Sequence, residues 1–204
     1  MHSFSPEDMT SKAWSKLIKG SIIPRPIAWI TTQNKDNVIN AAPFSYFNIF
    51  TPTILAVSIQ YDPTQRKDTA RNLIDRKEAV VHIPDKALLA QMDQTSSPLP
   101  SNESEIELAG LHIVASDLVQ PPGIQEAKVR IETKLEAHIP LTVKDSDTIE
   151  TELFLLRIVK AHLAADIYDV TTGYVDSEKL DPVARLGGPD YSIIDKIKDF
   201  KRNF

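Results

Sequence analysis

Lys128-Val129-Arg130-Ile131-Glu132-Thr133-Lys134-Leu135-Glu136 alternates charged side chains with Val, Ile, Thr and Leu without a break. Successive side chains of a strand point to opposite faces, so this period of two predicts an extended segment over 127–140 with one wet face. Such a strand belongs in an antiparallel sheet, because parallel strands are covered on both faces and read as continuous apolar runs.

Working outward, residues 27–32 form a largely apolar run rich in β-branched residues, opened by Pro24-Arg25-Pro26. The polar cluster Gln33-Asn34-Lys35-Asp36-Asn37 separates it from Val38-Ile39, which is a β-hairpin signature. Residues 54–60 predict the next strand, flanked by Pro52 and Pro63, which cannot donate to an interior ladder. Two helices then interrupt the strands. Asp68-Thr69 caps one over 70–76, with Leu73 and Ile74 inward; after a strand over 78–83, Asp85 caps another over 86–93. Further strands are expected over 111–116 and 152–164. Residues 1–20 read as an appendage with an amphipathic helix over 7–19, started by Ser5-Pro6 and stopped by Gly20. Ile193, Ile194, Ile197 and Phe200 at helical spacing predict a C-terminal helix over 193–204. Strands, then helices, then strands predict one domain over 1–204, mainly β with peripheral helices, closed or partly closed as an antiparallel barrel.

The 204 residues suffice for one sizeable core. A net charge of -5 without a long basic run gives no electrostatic reason to expect nucleic acid or an anionic membrane as partner. Residues 54–59, among the longest apolar stretches, are too short to span a bilayer, and residues 1–11 lack the pattern of a signal peptide, so a cytoplasmic protein is expected. With no cysteine, thiolate metal sites, iron–sulfur clusters and cysteine nucleophiles are excluded, and redox chemistry would need a borrowed cofactor. The 6 glycines form neither a dinucleotide fingerprint nor a phosphate-binding P-loop.

Asn40-Ala41-Ala42-Pro43-Phe44-Ser45-Tyr46-Phe47 crowds small, turn-forming and aromatic residues just after the hairpin. Small residues let a flat ring approach backbone amides while the aromatics wall it; the alternative is a β-bulge followed by core aromatics. Arg66-Lys67-Asp68-Thr69 puts two cations and a hydroxyl at a helix start, suited to a phosphate, although a capped, solvated helix end is the commoner reading of such residues taken alone. Arg25 between two prolines either aims at an anion or forms a surface turn. The five histidines show no close metal-ligand spacing and read as half-buried strand residues. No G-x-S-x-G marks a hydrolase. The stretch over 94–105, with Ser96-Ser97-Pro98-Leu99-Pro100, is long enough to be a lid.

Taken in order, Pro24-Arg25-Pro26-Ile27-Ala28-Trp29-Ile30-Thr31-Thr32, residues 40–47, Lys67-Asp68-Thr69-Ala70-Arg71-Asn72, and Asp181-Pro182 before Arg185-Leu186-Gly187-Gly188 and Tyr191 resemble the flavin reductase-like family of FMN-binding split barrels. That family includes flavoredoxins and the reductase components of two-component monooxygenases. The resemblance implies a Greek-key split β-barrel and FMN as cofactor. It places the flavin ring along Asn40, Ala42, Pro43, Phe44, Ser45, Tyr46 and Phe47, with Arg25 and Thr31 from the preceding motif, and the phosphate near Arg66, Lys67 and Thr69. It implies a homodimer with flavin pockets near the subunit interface, where His138, Tyr174, Leu186 and Gly187 become candidates for closing the pocket. The chemistry it implies is hydride transfer from a reduced nicotinamide to the flavin, then delivery to free flavin, oxygen, a monooxygenase or a redox protein, with no catalytic acid or base required. A flavoredoxin-like carrier reduced by another protein and a non-catalytic split-barrel module are the alternatives.

Overall fold

A computed structural model of the chain describes residues 1–196. Seven strands form one antiparallel sheet: β1 (Ala28–Gln33), β2 (Ile39–Phe44), β3 (Phe47–Thr51), β4 (Ile54–Gln60), β5 (Glu78–His82), β6 (Val129–Thr142) and β7 (Ile149–Leu163). Their spatial order is β2-β1-β5-β6-β7-β4-β3. The two edge strands, β2 and β3, are therefore consecutive in the chain and joined only by Ser45 and Tyr46. In a flat sheet, six steps of about 4.8 Å would hold those edges about 29 Å apart. Three Cα-to-Cα steps from Phe44 to Phe47 span at most about 11 Å. The sheet must curl until its edges meet, yet β2 and β3 do not pair with each other. The result is a barrel with a split at residues 45–46.

Two cores flank this sheet. The first joins Ala28 and Ile30 of β1, Leu55, Val57 and Ile59 of β4, Ala79 and Val81 of β5, and Phe154 and Leu156 of β7. Helix α2 (Asp68–Arg76) adds Ala70 and Leu73 to it. The second packs Trp29 and Ala41 against Leu88, Met92, Ile106 and Leu111, from the segment that carries α3 (Leu89–Gln94) and α4 (Glu105–Leu108). β1 is thus covered on both faces, which is why residues 27–32 read as a near-continuous apolar run. The indole Nε1 of Trp29 donates to Thr95 Oγ1 at 2.9 Å, so the second core carries no orphaned polar tip there.

Several boundaries differ from expectation. Instead of one helix over 7–19, a 3-10 turn spans Pro6–Asp8 and α1 spans Ser11–Ser21, because Met9 is extended and Thr10 caps the new start by accepting from Ala13 N at 3.2 Å. Gly20 lies within α1 rather than stopping it. The strand expected over 111–116 shrinks to Ile113–Val114, paired with Gly123–Ile124. Helix 193–204 falls mainly outside the described residues, and the described part, 193–196, has no regular structure. The wet face of β6 contains an exception: Glu132 is fully buried, accepting from the Asp117 and Leu118 amides at 2.8 and 2.6 Å and bonded to His162 Nε2 at 2.7 Å. Burial pushes its pKa up, but those partners outweigh burial and hold the carboxyl below its ordinary value.

His82 on β5 is also fully buried, not half-buried as expected. Its Nδ1 lies 2.8 Å from Trp29 O, and its Nε2 accepts from Ile124 N at 2.9 Å. An N–H facing Nε2 requires the neutral ring with Nδ1 protonated; a second proton would set two N–H groups against each other. Desolvation, opposed by the Trp29 carbonyl and aided by Arg130, pulls its pKa down to about 4. The unfolded chain takes up this proton below about pH 6.5, whereas the folded chain refuses it until about 4. Stability is full above 6.5 and falls by about 1.4 kcal/mol per pH unit below it, roughly 3 kcal/mol in all. Denaturant titrations of the parent and His82→Gln at pH 5 and 7 are expected to show a steeper loss in the parent; parallel losses contradict this account.

Candidate functional site

The split exposes backbone that a closed sheet would pair. Tyr46 O accepts from Ser58 N at 2.8 Å, but the N–H groups of Ser45 and Tyr46 donate to no group among the described residues. Pro43 precedes this bend and has no N–H to offer the edge. Phe44 and Phe47 on either side turn inward and pack on the barrel core, while Tyr46 stays 40% exposed. Two open amides flanked by aromatic surface thus sit at the mouth of a cavity of about 860 Å³. Its walls are Pro43, Phe44, Ser45 and Tyr46, Ser58 and Gln60 of β4, Lys67, the turn Arg185, Leu186, Gly187 and Gly188, and the Lys12, Ser15, Lys16 and Lys19 face of α1.

A smaller recess of about 260 Å³ adjoins it, sharing Pro43, Phe44 and Lys67. It is lined by Asn40 and Ala42, by Asp62, Gln65, Arg66, Lys67, Asp68 and Thr69, and by Thr95, Ser96, Ser97, Pro98, Leu99 and Glu105. Lys67 is the N-cap of α2 and makes no side-chain cap bond, leaving the first-turn amides of α2 uncapped from within. Arg66 Nε donates to Glu152 Oε2 at 3.1 Å, and the other oxygen of this fully buried carboxylate is 2.8 Å from His138 Nε2. That leaves the terminal guanidinium nitrogens of Arg66 with no hydrogen-bond partner among the described residues, over the Tyr61 ring at 5.4 Å. Asn40 is tied to the protein: its Nδ2 donates to Glu105 Oε2 at 3.1 Å, and its Oδ1 accepts from Thr69 and Thr32 at 2.7 and 3.3 Å. Glu105 also accepts from Ala41 N at 3.0 Å. These bonds pin β2, α2 and α4 together behind the recess.

Of the residues singled out from sequence, Arg25, Pro43, Phe44, Ser45, Tyr46, Lys67, Leu186 and Gly187 line the larger cavity, and Asn40, Ala42, Arg66 and Thr69 the smaller. Arg25 is buried and donates to the carbonyls of Lys19, Ile22 and Leu186 at 2.5, 2.7 and 2.8 Å, so most of its guanidinium holds backbone in place. Four others lie outside both linings. Phe47 packs against the barrel core. Thr31 is fully buried and donates to Pro122 O at 2.6 Å. His138 bonds Glu152 and stacks on Phe154. Tyr174 is 77% exposed on the separate Tyr168–Asp169 and Tyr174–Val175 hairpin. Sequence reading did not single out Lys12, Ser15, Lys16, Lys19, Ser58, Gln60, Arg185 and Gly188 of the lining; the helical spacing of the three lysines and the motif holding Arg185 and Gly188 were the signals available. Asp117, Glu132 and His162 bring three potential ligand atoms within 4.8 Å of one another, but they bond each other, the 117 and 118 amides and Lys160.

Comparison with known proteins places this geometry. Residues 20–179 match the flavin reductase like domain. Nitrilotriacetate monooxygenase component B from Bacillus cereus is 41% identical, with 98% of each chain covered and a TM-score of 0.93. The 2-nitrobenzoate 2-nitroreductase NbaA of Pseudomonas fluorescens is 28% identical, covers 100% of this chain and 98% of its own, and has a TM-score of 0.86. The Bacillus subtilis protein YwrF is 39% identical over 194 residues, 94% of each chain. With a domain match spanning the barrel strands and a solved relative superposing over nearly the whole chain, the protein belongs to the flavin reductase like family.

Proposed function

We propose that the protein binds FMN at the split of the barrel and acts as an NAD(P)H-dependent flavin reductase, working as a homodimer in the cytoplasm. One observation carries this reading best: two unpaired amides flanked by aromatic surface at residues 44–47 adjoin a recess holding Arg66, Lys67 and an uncapped helix start. A flat ring with one polar edge suits the first, and a phosphate suits the second. The residue chemistry fits: the recess supplies two cations and free amides, its carboxylates Asp62, Asp68 and Glu105 are already bonded to Thr64, Arg71, and Asn40 and Ala41 respectively, and Glu152 holds Arg66 through Nε, leaving its other nitrogens without a partner among the described residues.

When bound, the flavin supplies the acceptor for a hydride from a reduced nicotinamide. The protein's part is to hold and tune it. The Ser45 and Tyr46 amides would donate to the polar ring edge and favour negative charge there. Pro43 and Phe44 would exclude water from one side of the ring, and the residue 94–105 loop, through Ser96–Leu99, would cover the phosphate. Ile49 and Phe50 on edge strand β3 are 70% and 62% exposed, apolar surface that supports the homodimer.

Purified protein is expected to be yellow, with the flavin bands bleached by NADH or NADPH under anaerobic conditions. Colour that resists both nicotinamides but yields to a reduced redox protein assigns an electron carrier instead, and colourless protein that takes up no FMN assigns a binding module. Lys67→Ala is expected to weaken FMN binding by about 1.5 kcal/mol, roughly tenfold in Kd, in a fluorescence-quenching titration; an unchanged Kd removes Lys67 from the phosphate site. FMN is also expected to slow proteolysis within residues 95–104. Equal cleavage rates with and without FMN rule out the lid.

A further inference from the structure

The larger cavity is lined by Lys12, Lys16, Lys19, Arg25, Lys67 and Arg185, and by no carboxylate. None of these six cations enters an ion pair among the described residues, although the whole chain is acidic at -5. Half of the set comes from α1, where spacings of four and three residues put Lys12, Lys16 and Lys19 on one face. Like charges at that spacing repel. No residue of α1 is buried, so its own packing does not require lysines there.

The helix is nonetheless held against the site. Arg25 donates to the Lys19 and Ile22 carbonyls at the C-terminal end of α1 and to Leu186 O, and its Nε is buried with no partner. The turn carrying Gly187 lies so close that a Cβ there would stand 3.2 Å from Gly20 Cα. Arg66, Lys67 and the start of α2 already provide for one phosphate in the adjoining recess. The α1 lysines are a separate concentration of charge, strung along about 10 Å of helix, longer than a single phosphate occupies. The chain has no glycine-rich phosphate loop, so a nucleotide phosphate here must be held by side chains and ordinary backbone amides.

We propose that Lys12, Lys16 and Lys19 form a second anion site, which takes the diphosphate of the nicotinamide dinucleotide donor as it docks beside the flavin. This deepens the reductase reading above and rests on it for the identity of the donor. The probe is ADP-ribose, which carries the diphosphate but cannot transfer hydride, titrated calorimetrically into FMN-loaded parent and Lys12→Ala/Lys16→Ala/Lys19→Ala protein. The expected result is at least about a tenfold rise in the ADP-ribose Kd of the variant, with FMN affinity within about twofold of the parent. The parent's affinity should fall with added salt more steeply than the variant's. In turnover, the change should fall on KM for NADH rather than kcat, and a triple Lys→Arg variant should restore binding. Equal ADP-ribose affinity in parent and Ala variant, or no ADP-ribose binding by the parent, overturns the proposal. A loss seen for FAD but not for ADP-ribose overturns the donor assignment and gives the diphosphate to the flavin itself. Parent that binds ADP-ribose through these lysines but takes no FMN refutes the flavin reading while upholding the diphosphate site.

Discussion

The two-residue link between the edge strands governs this structure. β2 and β3 stand at opposite ends of the hydrogen-bonding order, yet the chain passes between them in Ser45 and Tyr46. Closure is therefore imposed by connectivity, but the last pair of the ladder is never made. A barrel closed by hydrogen bonds would satisfy every edge. Here the unclosed seam leaves amides and aromatic surface where a planar ligand can complete it. The candidate site follows from the way the fold closes rather than from a set of reactive side chains.

Rigidity behind the seam comes from buried polar groups that are satisfied locally. Glu105 takes the Asn40 and Ala41 donors, Asn40 takes the Thr69 hydroxyl, and Asn72 donates to Thr32 at 3.0 Å. Each bond contributes a modest net amount, about 1 kcal/mol, but an orphaned member would leave a buried group desolvated at about 1–3 kcal/mol. The network thus disfavours any shift of β2 against α2, and it fixes the distance between the bend and the cation-bearing helix start. Glu152 does the same for Arg66 from the opposite side of the recess, with His138 sharing the carboxylate.

Much of the frame was legible in the sequence because it obeys local rules. The hairpin after Pro26, the strand over 54–60 between prolines and the Asp85-capped turn all have periodic or capping signals, and each appears within a residue or two. What was illegible depends on contacts between distant residues. Glu132 alternates like a solvated residue, and only the 117–118 loop folding over it makes it buried. Thr31 sits in a motif beside the site, but the alternation of β1 turns it toward Pro122. Asn40 reads as part of the candidate site, but its hydrogen bond to Glu105, 65 residues away, has no signal in the sequence. The order of motifs marked the bend and the cationic helix start; it could not tell which side chains line the cavities and which are bonded behind them.

Helix α1 shows where the boundary between frame and site lies. By its position before the first barrel strand it reads as an appendage, and none of its residues is buried. Arg25 changes that status. A buried guanidinium bonded to three carbonyls, two at the end of α1 and one in the 186–188 turn, joins the first and last parts of the domain on one side of the seam. Charge-assisted bonds to carbonyls at a helix C-terminus also favour the helix dipole. Removing this one side chain would release both the lysine-bearing wall and the glycine turn facing it, so the cation lining the cavity least able to reach a ligand is the one that gives the cavity its shape.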